Sequence, residues 1–177
     1  MEVLQEFKKF GWKVKTSGGE KIASKQDGDN LVEVVVQQFY LPNSVKLELS
    51  VSASSKEFCG ICAKVAGRKE MHATICQTYL EKPFADLSKI DIKSLSDEIE
   101  IWWGAQPIAS SLKTMSQPPP ETGQAQLYHL AALAYLGDFN TLMEYQSVFS
   151  KGKRMGFVPM IKAEMIERAL DIALERA

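Results

Sequence analysis

Between Val45 and Ala53 apolar and polar residues alternate without a break, with Val45, Leu47, Leu49, Val51 and Ala53 set against Lys46, Glu48, Ser50 and Ser52. A period of two predicts a strand in an antiparallel sheet with one wet face. The β-branched run "LVEVVVQQFYL" before it predicts a partner strand, and "LPNS" turns one into the other. Upstream, Val3, Leu4, Phe7 and Phe10 form a helical stripe over residues 2–10 that Gly11 stops. "WKVKT" opens extended structure, and the turn-rich "TSGGEKIASKQDGDN" carries a short strand around Lys21–Ser24.

The stretch from Phe58 to Cys76 reads as a hairpin. With "AGRK" as its turn and pairing centred near Arg68, Val65 faces Met71, Ala63 faces Ala73 and Ile61 faces Ile75. Lys82 to Phe84 then leave the sheet through Pro83. A second helix carries Leu95, Ile99, Trp102 and Trp103 and ends at Gly104 and Pro107. Residues 107–123 are a Pro/Ser-rich connection, with Pro118–Pro120 stiff and extended.

Three helices complete the chain. Gln124 to Leu136 is apolar nearly all round and so central. Gly137 and Asp138 are a stop and an N-cap for a helix reaching about Phe149, and Pro159 opens the last, with Ile161, Met165, Ile166, Ala169, Leu170 and Ala173 on its buried side. The expected fold class is therefore α+β: an N-terminal helix, an antiparallel sheet of about five to six strands, and a helical C-terminal third. Residues 1–106 form its first part, 107–123 the connection and 124–177 a three-helix region packed on the sheet in one compact domain.

Composition narrows the function more than it names it. Lys and Arg total 21 against 22 Asp and Glu in 177 residues, which disfavours general nucleic-acid binding. No apolar run approaches the length of a membrane span, about 20 residues. Three cysteines, an odd number, fit reduced thiols in the cytoplasm.

All three cysteines fall in "FCGICAKVAGRKEMHATIC", where Cys59, Cys62, His72 and Cys76 approach a zinc-finger spacing. On a hairpin Cys59 lies on the opposite face from the other three, and His72 and Cys76 stand roughly 13 Å apart at about 3.3 Å per residue. Four such donors do not converge on a tetrahedral ion. A helix over residues 70–80 stays open as the alternative, since it would bring His72 and Cys76 within one turn. The set is kept as a fallback zinc site of a regulator or enzyme, and no cofactor is otherwise expected.

His129 lies in an apolar helix with no nucleophile or orienting carboxylate nearby in sequence, so it reads as a core histidine. "TSGGEK" lacks the following helix that would present amides to phosphate, and "SKGKRMG", with Lys151, Lys153 and Arg154, reads as a solvated basic turn. The segment "ADLSKIDIKSLSDEIEIWW" concentrates acids before two tryptophans. Asp97, Glu98, Glu100 and Trp103 are accordingly the candidate contacts for a basic protein partner.

Two resemblances bear on that partner. The order helix, strand meander, helix over residues 1–105 resembles the small chaperones of bacterial type III secretion, which implies a dimer that binds an extended effector segment. The stretch "YHLAALAYLGDFNTLMEYQSVFSKGKRMGFVPMIKAEMIERALDIA" resembles the helical end of immunity proteins encoded beside polymorphic toxins. The second resemblance implies a non-enzymatic, cytoplasmic, bacterial protein that binds one cognate toxin domain and occludes its active site. That is the expected function, with the secretion chaperone as the first alternative.

Overall fold

The computed structural model describes residues 3–17, 19–117 and 121–176. It divides into two compact units: Met1–Ser54 with Thr74–Gln106, and Ser55–Ala73 with Pro107–Ala177. The fold is α+β, as the alternation of residues 45–53 and the apolar C-terminal helices require.

In the first unit α1 (Val3–Phe7) is extended by a 3-10 turn over Lys8–Phe10 and ends at Gly11, whose φ of 83° is the left-handed conformation that glycine adopts without steric cost. Among the described residues five strands follow in a meander: β1 (Lys13–Ser17), β2 (Glu20–Asp27), β3 (Asn30–Leu41), β4 (Ser44–Ser55) and β5 (Cys76–Phe84), adjacent in chain order. Pairing of β1 with β2, β2 with β3 and β4 with β5 is antiparallel. One face carries Val14, Ala23 and Val34 in register, together with Leu49 opposite Leu80 and Val45 opposite Phe84. Val3, Leu4 and Phe7 of α1 complete this core with Ile92, Leu95 and Ile99 of α3 (Ile92–Gly104). The alternation seen in the sequence is therefore the division between core and outer face.

The expected hairpin is not there. Residues Lys56–Ala66 form α2, residues 67–75 form a loop, and only from Cys76 onward does the strand reading hold. The helix has a complete set of end signals. Ser55 is its N-cap and accepts a bond of 3.0 Å from the amide of Phe58. Gly67, at φ 68°, is its C-cap. Phe58, Cys59, Ile61, Cys62 and Val65 are buried, at spacings that make one helical stripe and only half fit a strand. From α7 (Ala163–Leu174) Arg168 donates to the Val65 carbonyl through Nε at 2.9 Å and Nη2 at 2.8 Å, which places a cation on the negative end of α2.

Three further boundaries differ. Strand β5 keeps Pro83 paired with Lys46 and runs to Phe84, tolerated because it is the last strand of the sheet. Part of the expected connection is a helix, α4 (Ile108–Met115), with Leu112 buried; Pro118–Pro120 lie outside the described residues. The last helix begins at Ala163, not Pro159, since residues 159–162 form a turn that buries Ile161.

In the second unit α5 (Gly123–Leu136) packs against α2, α4, α6 (Phe139–Ser150) and α7, which explains why it is apolar nearly all round. Its polar residues are buried with partners. Gln126 donates to the Gly156 carbonyl at 3.1 Å and accepts from the Val158 amide at 2.9 Å. Arg154, expected in a solvated turn, instead organises that turn, donating to the carbonyls of Phe157, Val158 and Ile161 and lying 5.3 Å over the Phe149 ring.

Candidate functional site

Asp91 caps helix α3, its carboxylate accepting from the Ser94 amide at 3.0 Å. Its stripe Ile92, Leu95 and Ile99 faces the core, with Trp102 and Trp103 half-buried against the same core. A residue three or four positions from another shares its face. Asp97, Glu98 and Ile101 therefore stand together on the outward side, and Ile101 is 75% exposed. Together with Asp91, Lys93 and Ser94 they line a shallow hollow of about 430 Å³.

The four sequence-derived contacts separate into two groups. Asp97 and Glu98 are on the outward face, each beside a lysine: Lys93 at 2.6 Å from Asp97, and Lys82 at 2.8 Å from Glu98. Ion pairs this exposed are screened by water and contribute little, so they trim the acidic field without holding the side chains rigid. The Asp97 carboxylate in turn holds the Lys93 ammonium above its ordinary range, chiefly by that hydrogen bond.

Glu100 and Trp103 are engaged inward. Glu100 accepts from Lys25 at 2.8 Å and from the Ser96 hydroxyl at 2.9 Å. Ser96 in turn accepts from the indole nitrogen of Trp12 at 2.8 Å, and Lys25 also donates to the Phe10 carbonyl at 3.3 Å. This is a relay that ties the segment Phe10–Trp12, which follows α1, to β2 and α3. Ile101 is not among the contacts expected from the acids and the tryptophans. The helical period alone sets it on the face of Ser94, Asp97 and Glu98, so the signal was present.

The cysteines gather no site. Among the described residues no group of three or more His, Cys, Asp or Glu is placed to hold a metal ion. Cys59 and Cys62 lie one turn apart on α2, not on opposite faces of a strand. Cys59 accepts from the Ala73 amide at 3.4 Å. Burial, with Cys59 nearby, pushes the Cys62 thiol far above the ordinary range, whereas a redox-active CxxC pair needs a lowered thiol pKa.

His129 is 1% exposed and fully bonded. Its Nδ1 lies 3.0 Å from the Met115 carbonyl and its Nε2 3.0 Å from the Tyr145 hydroxyl. A carbonyl only accepts, so Nδ1 carries the proton and Nε2 accepts from Tyr145. Burial lowers the His129 pKa from its ordinary value, which keeps the ring neutral in the role of a core histidine.

Residues 1–174 match the profile of a family of unknown function, DUF6990, and the chain belongs to that family. No curated protein and no solved structure matches it.

Proposed function

We propose that the chain is a protein-binding domain that docks through the outward face of α3, and that its partner is a bacterial toxin domain whose active site it occludes in the cytoplasm. The observation that carries the reading is Ile101, a β-branched apolar side chain 75% exposed beside Asp97 and Glu98. An apolar anchor rimmed by charge is the anatomy of a binding hot spot, and acidic rims steer association with a basic surface. The groove of a nuclease toxin would present such a surface. The resemblance of the C-terminal stretch to immunity proteins points to the same class of partner.

The test is capture of the partner from the native host with the full chain as bait, under conditions that retain metal, followed by titration of the isolated pair. Ile101→Asp should weaken binding at least ten-fold, the scale of a lost hot spot at about 2 kcal/mol. Asp97→Lys with Glu98→Lys should slow association and remove its salt dependence. Unchanged affinity in both variants would exclude α3 as the interface. A partner that is an unfolded segment would favour the secretion-chaperone alternative.

A further inference from the structure

We propose that the outer face of the sheet, across β3 to β5, holds a binding site for an arginine side chain of a peptide or protein, seated between Tyr79 and Glu81. The site is independent of the α3 face. It is a hollow of about 430 Å³ lined by Val35, Gln37, Glu48, Ser50, Tyr79 and Glu81 among others. That volume is at the scale of small-ligand sites, roughly 300–1,000 Å³.

Three features give the hollow its chemistry. Tyr79 is 74% exposed, yet its ring is held in place: Gln77 donates to the Tyr79 hydroxyl at 2.7 Å and to Ser50 at 3.0 Å. An exposed aromatic fixed by hydrogen bonds is a preorganised platform, and a guanidinium plane stacks on such a face. Glu48 and Glu81 stand directly opposite each other on β4 and β5. Like charges in that relation destabilise a sheet, so the pair calls for a cation.

Among the described residues Lys46 is the cation that pairs with both carboxylates. Lys46 lies 2.6 Å from Glu48 and 3.8 Å from Glu81, and 5.1 Å over the ring of Phe39. The same face thus already makes a cation–aromatic–carboxylate contact with its own lysine. Two carboxylates less one ammonium leave these three groups with a charge of −1, and Glu81, 65% exposed, lines the same hollow as Tyr79. A planar guanidinium meets both: one fork edge to Glu81, its face to Tyr79. The complement is a single cationic group, which selects arginine over an acidic or purely apolar occupant.

The experiment is an amide-resolved NMR titration of the full chain with a blocked Gly-Arg-Gly tripeptide and its citrulline counterpart, which keeps the shape and loses the charge. Saturable shifts at Ser50, Tyr79 and Glu81 with the arginine peptide, absent with citrulline, are expected. Tyr79→Ala and Glu81→Gln alter exposed side chains and should each weaken binding about two- to five-fold, the range of exposed cation–aromatic and ionic contacts. Lys46→Ala removes the competing ammonium and should strengthen it. Equal shifts with both peptides would overturn the proposal. So would shifts spread evenly over exposed carboxylates such as Asp97, the absence of saturable shifts, or weaker binding in Lys46→Ala.

Discussion

Ser96 is one hydroxyl on one helix, and its removal tests whether the relay behind α3 holds the first unit together. It is 1% exposed, it accepts from the Trp12 indole at 2.8 Å, and Trp12 is itself 3% exposed. Ser96→Ala leaves the indole N–H buried without an acceptor, at a cost of about 1–3 kcal/mol. The lost bond to Glu100 adds little, since Glu100 keeps Lys25 at 2.8 Å and is partly solvated. Alanine returns about 0.5 kcal/mol through its better helix propensity. The net expectation is a loss of about 0.5–2.5 kcal/mol.

A double-mutant cycle separates this account from simple packing damage. Trp12→Phe removes the donor and part of the ring, at about 1–2 kcal/mol. In that background Ser96→Ala orphans nothing and should cost under about 0.5 kcal/mol, giving a coupling of about 1 kcal/mol or more. Urea unfolding followed by tryptophan fluorescence suits the measurement, because Trp12, Trp102 and Trp103 all belong to the first unit. Trp102 and Trp103 still report in the Trp12→Phe background. Additive costs, equal in both backgrounds to within about 0.5 kcal/mol, would show that the Trp12 indole does not depend on Ser96 as its acceptor.

Two other expectations follow from the burial of single side chains. Because burial lowers the His129 pKa, the unfolded chain takes up the proton first. The stability this histidine contributes is complete above about pH 6.5 and is lost as pH falls below it. Unfolding midpoints measured from pH 7.5 to 5.5 should therefore decline, and His129→Gln should flatten that decline; equal slopes would show that another group is responsible. Among the thiols Cys62 is fully buried with its pKa raised, while Cys76 is only half-buried. Cys76 should react first with a disulfide reagent in the native protein and Cys62 only on unfolding, and a fast-reacting Cys62 read by peptide mapping would contradict the placement of α2.

Much of the fold lies in local periodicity, where a single side chain needs only its neighbours to declare its side. The alternation from Val45 to Ala53 determined a strand and its core face, and each apolar member is buried as that pattern demands. Gly11 and Gly137 ended their helices at the expected places, since positive φ is a property of the residue itself. The nearly all-apolar circumference of α5 was enough to place that helix among its neighbours in the second unit.

Tertiary structure decided what those local signals leave degenerate. Phe58 to Val65 carries a helical stripe with local end signals in Ser55 and Gly67, and the tertiary contribution is Arg168, which lies 103 residues from Val65 and donates to its carbonyl. The acids of α3 show the same division. Lys93–Asp97 is an i, i+4 pair visible in the sequence, whereas Lys82–Glu98 and Lys25–Glu100 join residues 16 and 75 positions apart. Residue type placed the charges on α3, but only folding chose which carboxylates would turn inward. An ion pair across a fold depends on where two backbones come to lie, and that is set by packing of the whole unit, not by the residues that form the pair.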